Sequence, residues 1–306
     1  MDYQKILEEI EKEIQPYLKK GQLANYIPAL KNAQSNDFAM SIKLIDGQEF
    51  HIGCFNKKFS IQSISKVFTF SQALDIYSTS LYKRVWHEPS GNAFNSLIQL
   101  EYEKGIPRNP FINAGAIVIT DTLISHFKSS HSTFEQINDF INKISKSTIS
   151  YDENIYKSEL EHGFRNTALI NLMKSFGNIH NDVNSVLKTY FKQCSLMMNT
   201  DELSNAMLYL CNHGTDPITQ EVYINEKKAK RINSLMLTCG HYDASGDFAY
   251  KVGLPGKSGV GGGIVAIVPN KMSISVYSPN LNKQGNSLIG TKALELFTSK
   301  TGLSIF

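Results

Sequence analysis

Two β-hairpin patterns lie near opposite ends of this 306-residue chain, and a long helical stretch separates them. In the first, apolar residues alternate over residues 39–54 on either side of Asp46-Gly47, a dipeptide typical of tight hairpins. In the second, the runs GGGIVAIV and MSISVYS flank a turn at residues 269–271. Both hairpins can join one antiparallel sheet only if the ends of the chain come together. The helical middle is then predicted to form a lobe inserted between them.

Apolar periodicity predicts helices over residues 1–32, from Ser63 to about Tyr77 and over residues 286–300. In the first segment, one apolar face repeats at every fourth position, with breaks near Pro16 and Gly21; its residues are Ile6, Ile10, Ile14 and Leu18. Two capping-box patterns predict further helix starts, Ser132 with Glu135 and Ser158 with Glu161.

We therefore expect a single domain over residues 1–306 made of two lobes. The sheet lobe is expected to comprise residues of about 1–70 and 240–306, and the all-helical lobe residues of about 71–239. The seam between the lobes is a natural place for a cleft.

Composition excludes several classes of function. Basic residues number 31 and acidic residues 28, without blocks of like charge, so neither a nucleic-acid groove nor an acidic tail is expected. No apolar run approaches the ~20 residues that cross a bilayer, and the acidic N-terminus lacks the pattern of a signal peptide. The four cysteines form no CxxC pair and the histidines no HExxH motif, so we expect reduced thiols, a cytoplasmic protein, no metal and no cofactor.

A candidate nucleophile lies in the S-x-x-K tetrad from Ser63 to Lys66. In a helix, positions i and i+3 share a face, so the amine can reach the hydroxyl and act as its general base. Such a lysine needs burial to lower its pKa from about 10.4 towards ~7–8, and the flanking residues are apolar. The same tetrad recurs at Ser80, Ser125 and Ser185, where we predict only solvated helix faces. Ser63 differs because it lies where a strand-rich segment passes into a helix, whose N–H groups suit a developing oxyanion.

A second candidate element is the glycine-rich run from Lys257 to Gly263, which leads into a strand. Glycines allow a substrate to approach a strand edge closely, because no Cβ intervenes. The backbone N–H of Val260 could supply a second oxyanion donor. The alternative is a glycine-rich bulge that serves packing alone.

The order S-x-x-K, helical insertion, K-[ST]-G is that of penicillin-recognising serine enzymes. Further stretches make the sequence resemble, more specifically, the serine-dependent glutaminase family, which shares the β-lactamase-like fold. They run in family order from residue 25 to residue 263 and are NYIP (25–28), QSISK (62–66), EPSG (88–91) with FN (94–95), NPFINAGA (109–116), SE (158–159), RN (165–166), Tyr190, CGHY (239–242) and KSGVGGG (257–263).

The resemblance implies an α/β fold of the α+β type, like that of β-lactamases and transpeptidases, with an antiparallel sheet flanked by helices and an inserted helical lobe. It also implies a hydrolase acting on a linear amide, which converts L-glutamine to L-glutamate and ammonia, and a homotetramer or dimer. Ser63 would be the acyl-accepting nucleophile and Lys66 its general base. Tyr242 would lie beside Ser63 and relay its proton, and Val260 would give its N–H to the carbonyl oxygen.

The resemblance also implies a substrate-binding set. Asn113 would hold the substrate, and Glu159 with Asn166 would bind the amino-acid end of glutamine; Tyr26 and Tyr190 would help to bind the α-carboxylate. Glu159 and Asn166 are seven residues apart, so both face one way if the helix is continuous. Ser90-Gly91-Asn92 matches an S-x-N pattern, but the family varies at Asn92, which is therefore given no catalytic role.

Two alternatives to a glutaminase remain open at this point. A penicillin-binding or β-lactamase-type enzyme would turn over nitrocefin and not glutamine. A non-catalytic module would bind glutamine in a calorimeter without releasing ammonia.

Overall fold

The structure is a computed structural model that describes residues 1–24, 27–91 and 96–306. Its strands are β1 (Ala39–Leu44), β2 (Glu49–Gly53), β3 (Phe59–Ser60), β4 (Ser150–Tyr151), β5 (Leu196–Met198), β6 (Gly256–Ser258), β7 (Gly263–Val268) and β8 (Met272–Tyr277). Its α-helices are α1 (Tyr3–Ile14), α2 (Ser65–Tyr77), α3 (Leu97–Tyr102), α4 (Asn113–Phe127), α5 (Ser130–Ser145), α6 (Glu153–His162), α7 (Phe164–Ser175), α8 (Val183–Cys194), α9 (Thr200–Cys211), α10 (Glu226–Cys239), α11 (Ser245–Lys251) and α12 (Leu288–Thr301).

The two predicted hairpins lie side by side in one antiparallel sheet. Within the described residues this sheet has five strands in the order β2-β1-β8-β7-β6, and Ala39 of β1 faces Tyr277 of β8. The ends of the chain therefore meet, as the sequence predicts. A smaller sheet, β3-β5-β4, ties the segment before Ser63 to the helical middle of the chain.

Helices cover both faces of the large sheet. Helix α9 packs on β1, β7 and β8 from one side, while α1 and α12 pack on the other. Side chains that alternate along β1 therefore point to two faces of the sheet that are both buried. Neither face of this strand is exposed to solvent. Met40 and Ile42 join the core beneath the terminal helices. On the α9 side, the Ser41 hydroxyl lies 2.7 Å from the Thr200 hydroxyl, and Lys43 pairs with Asp201 at 3.0 Å.

Several helix boundaries differ from the predicted ones. Helix α1 ends at Ile14 because Pro16 opens a short 3₁₀ helix, so the predicted helix over residues 1–32 is too long. Ser132 lies inside α5, whose N-terminal cap is Ser129, and Ser158 lies inside α6, whose cap is Asp152. Both predicted starts were displaced because another serine or aspartate upstream takes the capping position. The division into lobes at residues 70 and 240 stays a prediction.

Gly115 lets helix α4 pack against the segment before it. A Cβ at this position would lie 1.9 Å from the carbonyl oxygen of Asn109. Alanine normally stabilises a helix interior by about 1 kcal/mol relative to glycine. At position 115, alanine would instead be destabilising, because its Cβ would clash with rigid backbone.

We predict that Gly115→Ala lowers the free energy of unfolding by about 1–3 kcal/mol or more. The matched control is Gly246→Ala in α11, where a Cβ meets no atom within 4 Å, and it should leave stability unchanged or raise it slightly. Denaturant unfolding of both variants measures the difference. A Gly115→Ala protein as stable as the parent chain would contradict this account of the packing.

Candidate active site

Ser63 lies on a strained turn between a strand and a helix. It belongs to a 3₁₀ helix, Gln62–Ile64, that leads directly from β3 into α2, and it is buried with 8% of its surface exposed. The preceding residue, Gln62, has a φ of 47°. This left-handed conformation costs a non-glycine residue about 1–2 kcal/mol. Strain of this kind clusters at functional sites, where the surrounding structure holds it in place.

Lys66 follows one helical turn later and is completely buried. Its Nζ donates to the carbonyl oxygen of Phe111 at 3.2 Å and to Oδ1 of Asn113 at 2.7 Å. A neutral amine has two N–H groups and one lone pair. These two acceptors match the two N–H groups, which leaves the lone pair available to another partner.

Burial controls the charge of this lysine. Removal from water lowers the pKa of Lys66 to about 8, and the neighbouring Cys194 and Glu159 oppose the shift. An amine with this pKa is neutral in roughly one molecule in ten at pH 7, against fewer than one in a thousand for an exposed lysine. The apolar neighbours predicted from the sequence are all buried around it, namely Phe59, Ile61, Ile64, Val67 and Phe68.

Tyr242, from the C-terminal part of the chain, lies beside Ser63. Burial raises the pKa of the Tyr242 hydroxyl well above its usual range, and a hydrogen bond with Ser63 partly offsets that effect. Tyr242 also has a left-handed φ, of 59°. Lys257 packs against its ring, with Nζ 4.7 Å from the ring centroid. The same Nζ donates to the carbonyl oxygens of Gly240 and Ser258, which ties the Tyr242 loop to β6.

The glycine-rich run packs directly on the segment that carries Ser63. A Cβ on Gly259 would lie 2.6 Å from the Ile61 carbonyl oxygen, and one on Gly261 would lie 2.1 Å from the Ser60 carbonyl oxygen. Val260, between these glycines, is buried. Within the described ranges, no protein acceptor takes the N–H of Ser63 or of Val260. Both N–H groups are therefore available to an oxyanion.

The predicted substrate-binding residues lie on separate helices that meet here. Asn113 is the first residue of α4, and its Nδ2 donates to Oδ1 of Asn166 on α7 at 2.9 Å. Tyr190 on α8 is buried, and its ring centroid lies 6.0 Å from Nζ of Lys66. Cys194, one turn further along α8, hydrogen-bonds with Tyr190.

Glu159 and Asn166 are both buried, and the condition of one continuous helix between them is not met. Helix α6 ends at His162 and α7 begins at Phe164. Gly163 lies at the break, where a Cβ would come within 2.5 Å of the Phe191 ring and 2.6 Å of the Glu159 carbonyl oxygen. The Phe191 ring of α8 leaves no room for a side chain at this position, so a glycine is required where the two helices meet.

The Glu159 carboxyl group is partly ionised near neutral pH. Burial raises its pKa to about 7, against the opposing effects of a hydrogen bond from Gln62 and the charge of Lys66. A carboxylate here is deprived of water and would gain from an ammonium partner.

A cavity of about 730 Å³ opens beside Val260. Its walls come from residues 21–24, Val260, residues 281–285 and Leu288. A Cβ on Gly285 would lie 3.6 Å from the Val260 side chain and 3.9 Å from the Tyr242 ring. The cavity thus reaches the end of the site where Tyr242 and Val260 lie. Tyr26 and Asn92 lie outside the described residues.

The other three S-x-x-K tetrads differ from the first in the exposure of their lysines. Lys83, Lys128 and Lys188 are exposed. None of these three lysines therefore has the burial that a lysine base requires. Gln62 and Cys194 also contact the candidate residues, although the sequence patterns assigned no role to either. Gln62 could have been suspected of a role because it precedes Ser63 in the sequence. No sequence feature indicated a role for Cys194.

One group of metal-type ligands comes together in the described part of the chain, at the edge strand β2. It consists of Glu49, His51 and Asp201. The Lys43 ammonium already pairs with Glu49 and with Asp201, so a cation of the protein itself holds this position.

Comparison with known proteins decides the family. The family model described as Glutaminase matches residues 21–306. The chain belongs to the glutaminase family. A glutaminase of Aliarcobacter butzleri is 70% identical over all of both chains. A glutaminase of Agrobacterium fabrum is 50% identical over 100% of this chain and 99% of its own.

Solved structures agree with this assignment to the glutaminases. A probable glutaminase from Bacillus subtilis, complexed with 6-diazo-5-oxo-L-norleucine, is 33% identical with a TM-score of 0.91, and the match covers 100% of this chain and 98% of the other. The Bacillus subtilis glutaminase YbgJ, in covalent complex with 5-oxo-L-norleucine, is 32% identical with a TM-score of 0.89 and full coverage of both chains. The predicted β-lactamase-like fold is thereby confirmed.

No helix among the described residues combines the length and the apolar character needed to span a bilayer.

Proposed function

We propose that this chain hydrolyses L-glutamine to L-glutamate and ammonia through a γ-glutamyl ester on Ser63, with Lys66 as the general base. The observation that carries the mechanism is a fully buried amine, with both N–H groups bonded, one helical turn after a buried serine. Covalent reaction of a related glutaminase with a glutamine analogue supports glutamine as the substrate.

In the first half-reaction, the Lys66 lone pair takes the proton of the Ser63 hydroxyl as Oγ attacks the side-chain amide carbon. The O–C bond forms, and the carbonyl oxygen becomes an oxyanion between the N–H groups of Ser63 and Val260. Losing one such donor typically costs ~10²–10³ in rate. Collapse breaks the C–N bond as the nitrogen receives the proton from Lys66 or through Tyr242. Ammonia leaves, and Lys66 is neutral again.

In the second half-reaction, a water molecule replaces the Ser63 hydroxyl as the group that Lys66 deprotonates. The water oxygen bonds to the ester carbon, and the bond from that carbon to Ser63 Oγ breaks. Oγ regains a proton, relayed by Lys66 or Tyr242, and glutamate departs. The hydrogen bond between Tyr242 and Ser63 supports this relay.

Substrate recognition rests on charge complementarity. Glu159 binds the α-ammonium group, because an ionised carboxylate buried without a cation is costly. Asn113 and Asn166, already bonded to each other, supply amide groups, and Tyr26 and Tyr190 supply hydroxyl groups to the α-carboxylate.

We further propose a cytoplasmic homo-oligomer, a homotetramer or dimer. The four cysteines are free thiols, which favours a reducing compartment. Three large apolar side chains are mostly exposed and suit a surface covered by a second copy; they are Ile98, Tyr102 and Phe164.

Ser63→Ala should reduce ammonia release from glutamine by at least about 10³-fold, because the carbon–oxygen bond can no longer form. Ser80→Ala is the matched control, since Ser80 begins an exposed S-x-x-K tetrad, and it should keep full activity. A Ser63→Ala protein that is folded and retains most of the activity would refute the mechanism.

kcat/KM for glutamine should rise with pH between about pH 6 and about pH 9, because two groups must lose a proton. Glu159, with a pKa of about 7, must be ionised to bind the ammonium group. Lys66, with a pKa of about 8, must be neutral to accept the Ser63 proton. Steady-state kinetics across this range test the direction. A kcat/KM that falls as pH rises from about 6.5 to about 8 would contradict it.

A further inference from the structure

A buried serine that the mechanism does not use connects the Ser63 turn to the end of helix α8. Ser60 on β3 is 3% exposed. Its hydroxyl donates to the carbonyl oxygen of Cys194 at 2.9 Å and accepts from Nε2 of Gln62 at 3.0 Å. The Cys194 carbonyl is one of the last in α8, where helical carbonyls lack partners within the helix.

The direction of these hydrogen bonds follows from the number of hydrogens. A serine hydroxyl has one proton, and the Ser60 proton goes to the Cys194 carbonyl oxygen. Towards Gln62, Ser60 can therefore only accept. The amide of Gln62 must then present its NH₂ group on this side, and its second N–H is available to the Glu159 carboxylate, which hydrogen-bonds to Gln62.

We propose that Ser60 is a positioning residue for the substrate's α-ammonium group, because it orients the Gln62 amide so that an N–H, and not the oxygen, faces Glu159. The inference rests on the proposed function, in which Glu159 binds that ammonium group. Without Ser60, the amide is free to turn its oxygen towards the carboxylate, which then loses a donor and meets a like partial charge.

The charge state of Glu159 reports this orientation. Hydrogen bonding to the ionised form lowers the pKa of a carboxyl group, so loss of the Gln62 donor raises the pKa of Glu159 further above its usual range. The groups that face Glu159 from neighbouring elements are Lys66 on α2 and Cys194 on α8. Lys31 lies in a 3₁₀ helix, Pro28–Asn32, that packs against α6, and its side chain is exposed. Ser60→Ala changes none of these groups.

Ser60→Ala should raise KM for glutamine about tenfold at pH 7, the size expected when a charged group loses one hydrogen bond, and leave kcat within about twofold. In the parent chain KM should fall as pH rises through about 7, where Glu159 ionises. In Ser60→Ala this fall should shift to higher pH by about half a unit or more. A general loosening of the fold would not move that midpoint.

Two variants keep the test interpretable. Ser71→Ala is the matched control, because Ser71 is equally buried on α2 and bonds to the Val67 carbonyl and the Tyr209 hydroxyl, outside this chain of bonds. It should leave KM and its pH midpoint unchanged. Ser60→Thr keeps the hydroxyl and should restore the parent midpoint even if it lowers stability.

The possible outcomes separate the two claims. If the parent chain hydrolyses glutamine and Ser60→Ala shows the parent KM and pH midpoint, Ser60 has no positioning role and the proposed function stands. If Ser60→Ala and Ser71→Ala raise KM alike without moving the midpoint, the role of Ser60 is structural and the proposal is overturned. If the parent chain releases no ammonia from glutamine, the proposed function itself is overturned.

Discussion

The dry environment of one amine is the constraint on which the rest of this site depends. Lys66 is completely buried, with its N–H groups directed at the Phe111 carbonyl and the Asn113 side chain. In water the same amine would hold its proton and could not activate a serine. Burial lowers the pKa of the amine so that it can lose this proton, and the two acceptors give the neutral amine a single orientation. Packing thus creates the conditions that the proposed base requires.

Packing this close requires unusual backbone in three places. Glycines at 259 and 261 let the loop with Val260 touch the segment before Ser63. Gln62 and Tyr242, on either side of the Ser63 hydroxyl, take left-handed conformations that most residues avoid. Strain of about 1–2 kcal/mol at each must be offset by contacts elsewhere. The two apolar cores, one on each face of the large sheet, supply the stabilisation that offsets this strain.

The sequence predicted the parts of the fold that rest on local chemistry. Both hairpins carry strong turn signals, and the burial of Lys66 followed from its apolar neighbours. Capping serines were misplaced at 132 and 158, because a better cap a few residues upstream cannot be recognised without knowing where the helix packs. The sequence left open whether one helix joins Glu159 to Asn166, because the packing at Gly163 involves Phe191 of a different helix. The assignment of roles to Asn113, Glu159, Asn166 and Tyr190 came from family resemblance, and their spacing alone would not have given it.

The account is tested most directly by titrating Lys66 itself in the substrate-free protein. Isotope-edited NMR of side-chain-labelled lysine, with Lys66→Arg to assign the resonance, reports the proton on its amine without any assay of turnover. We expect Lys66 to titrate near pH 8, well below the value of about 10.4 that is usual for a lysine in water. A Lys66 resonance that keeps its proton up to about pH 10 would show that the amine stays charged, and the serine would then have no base.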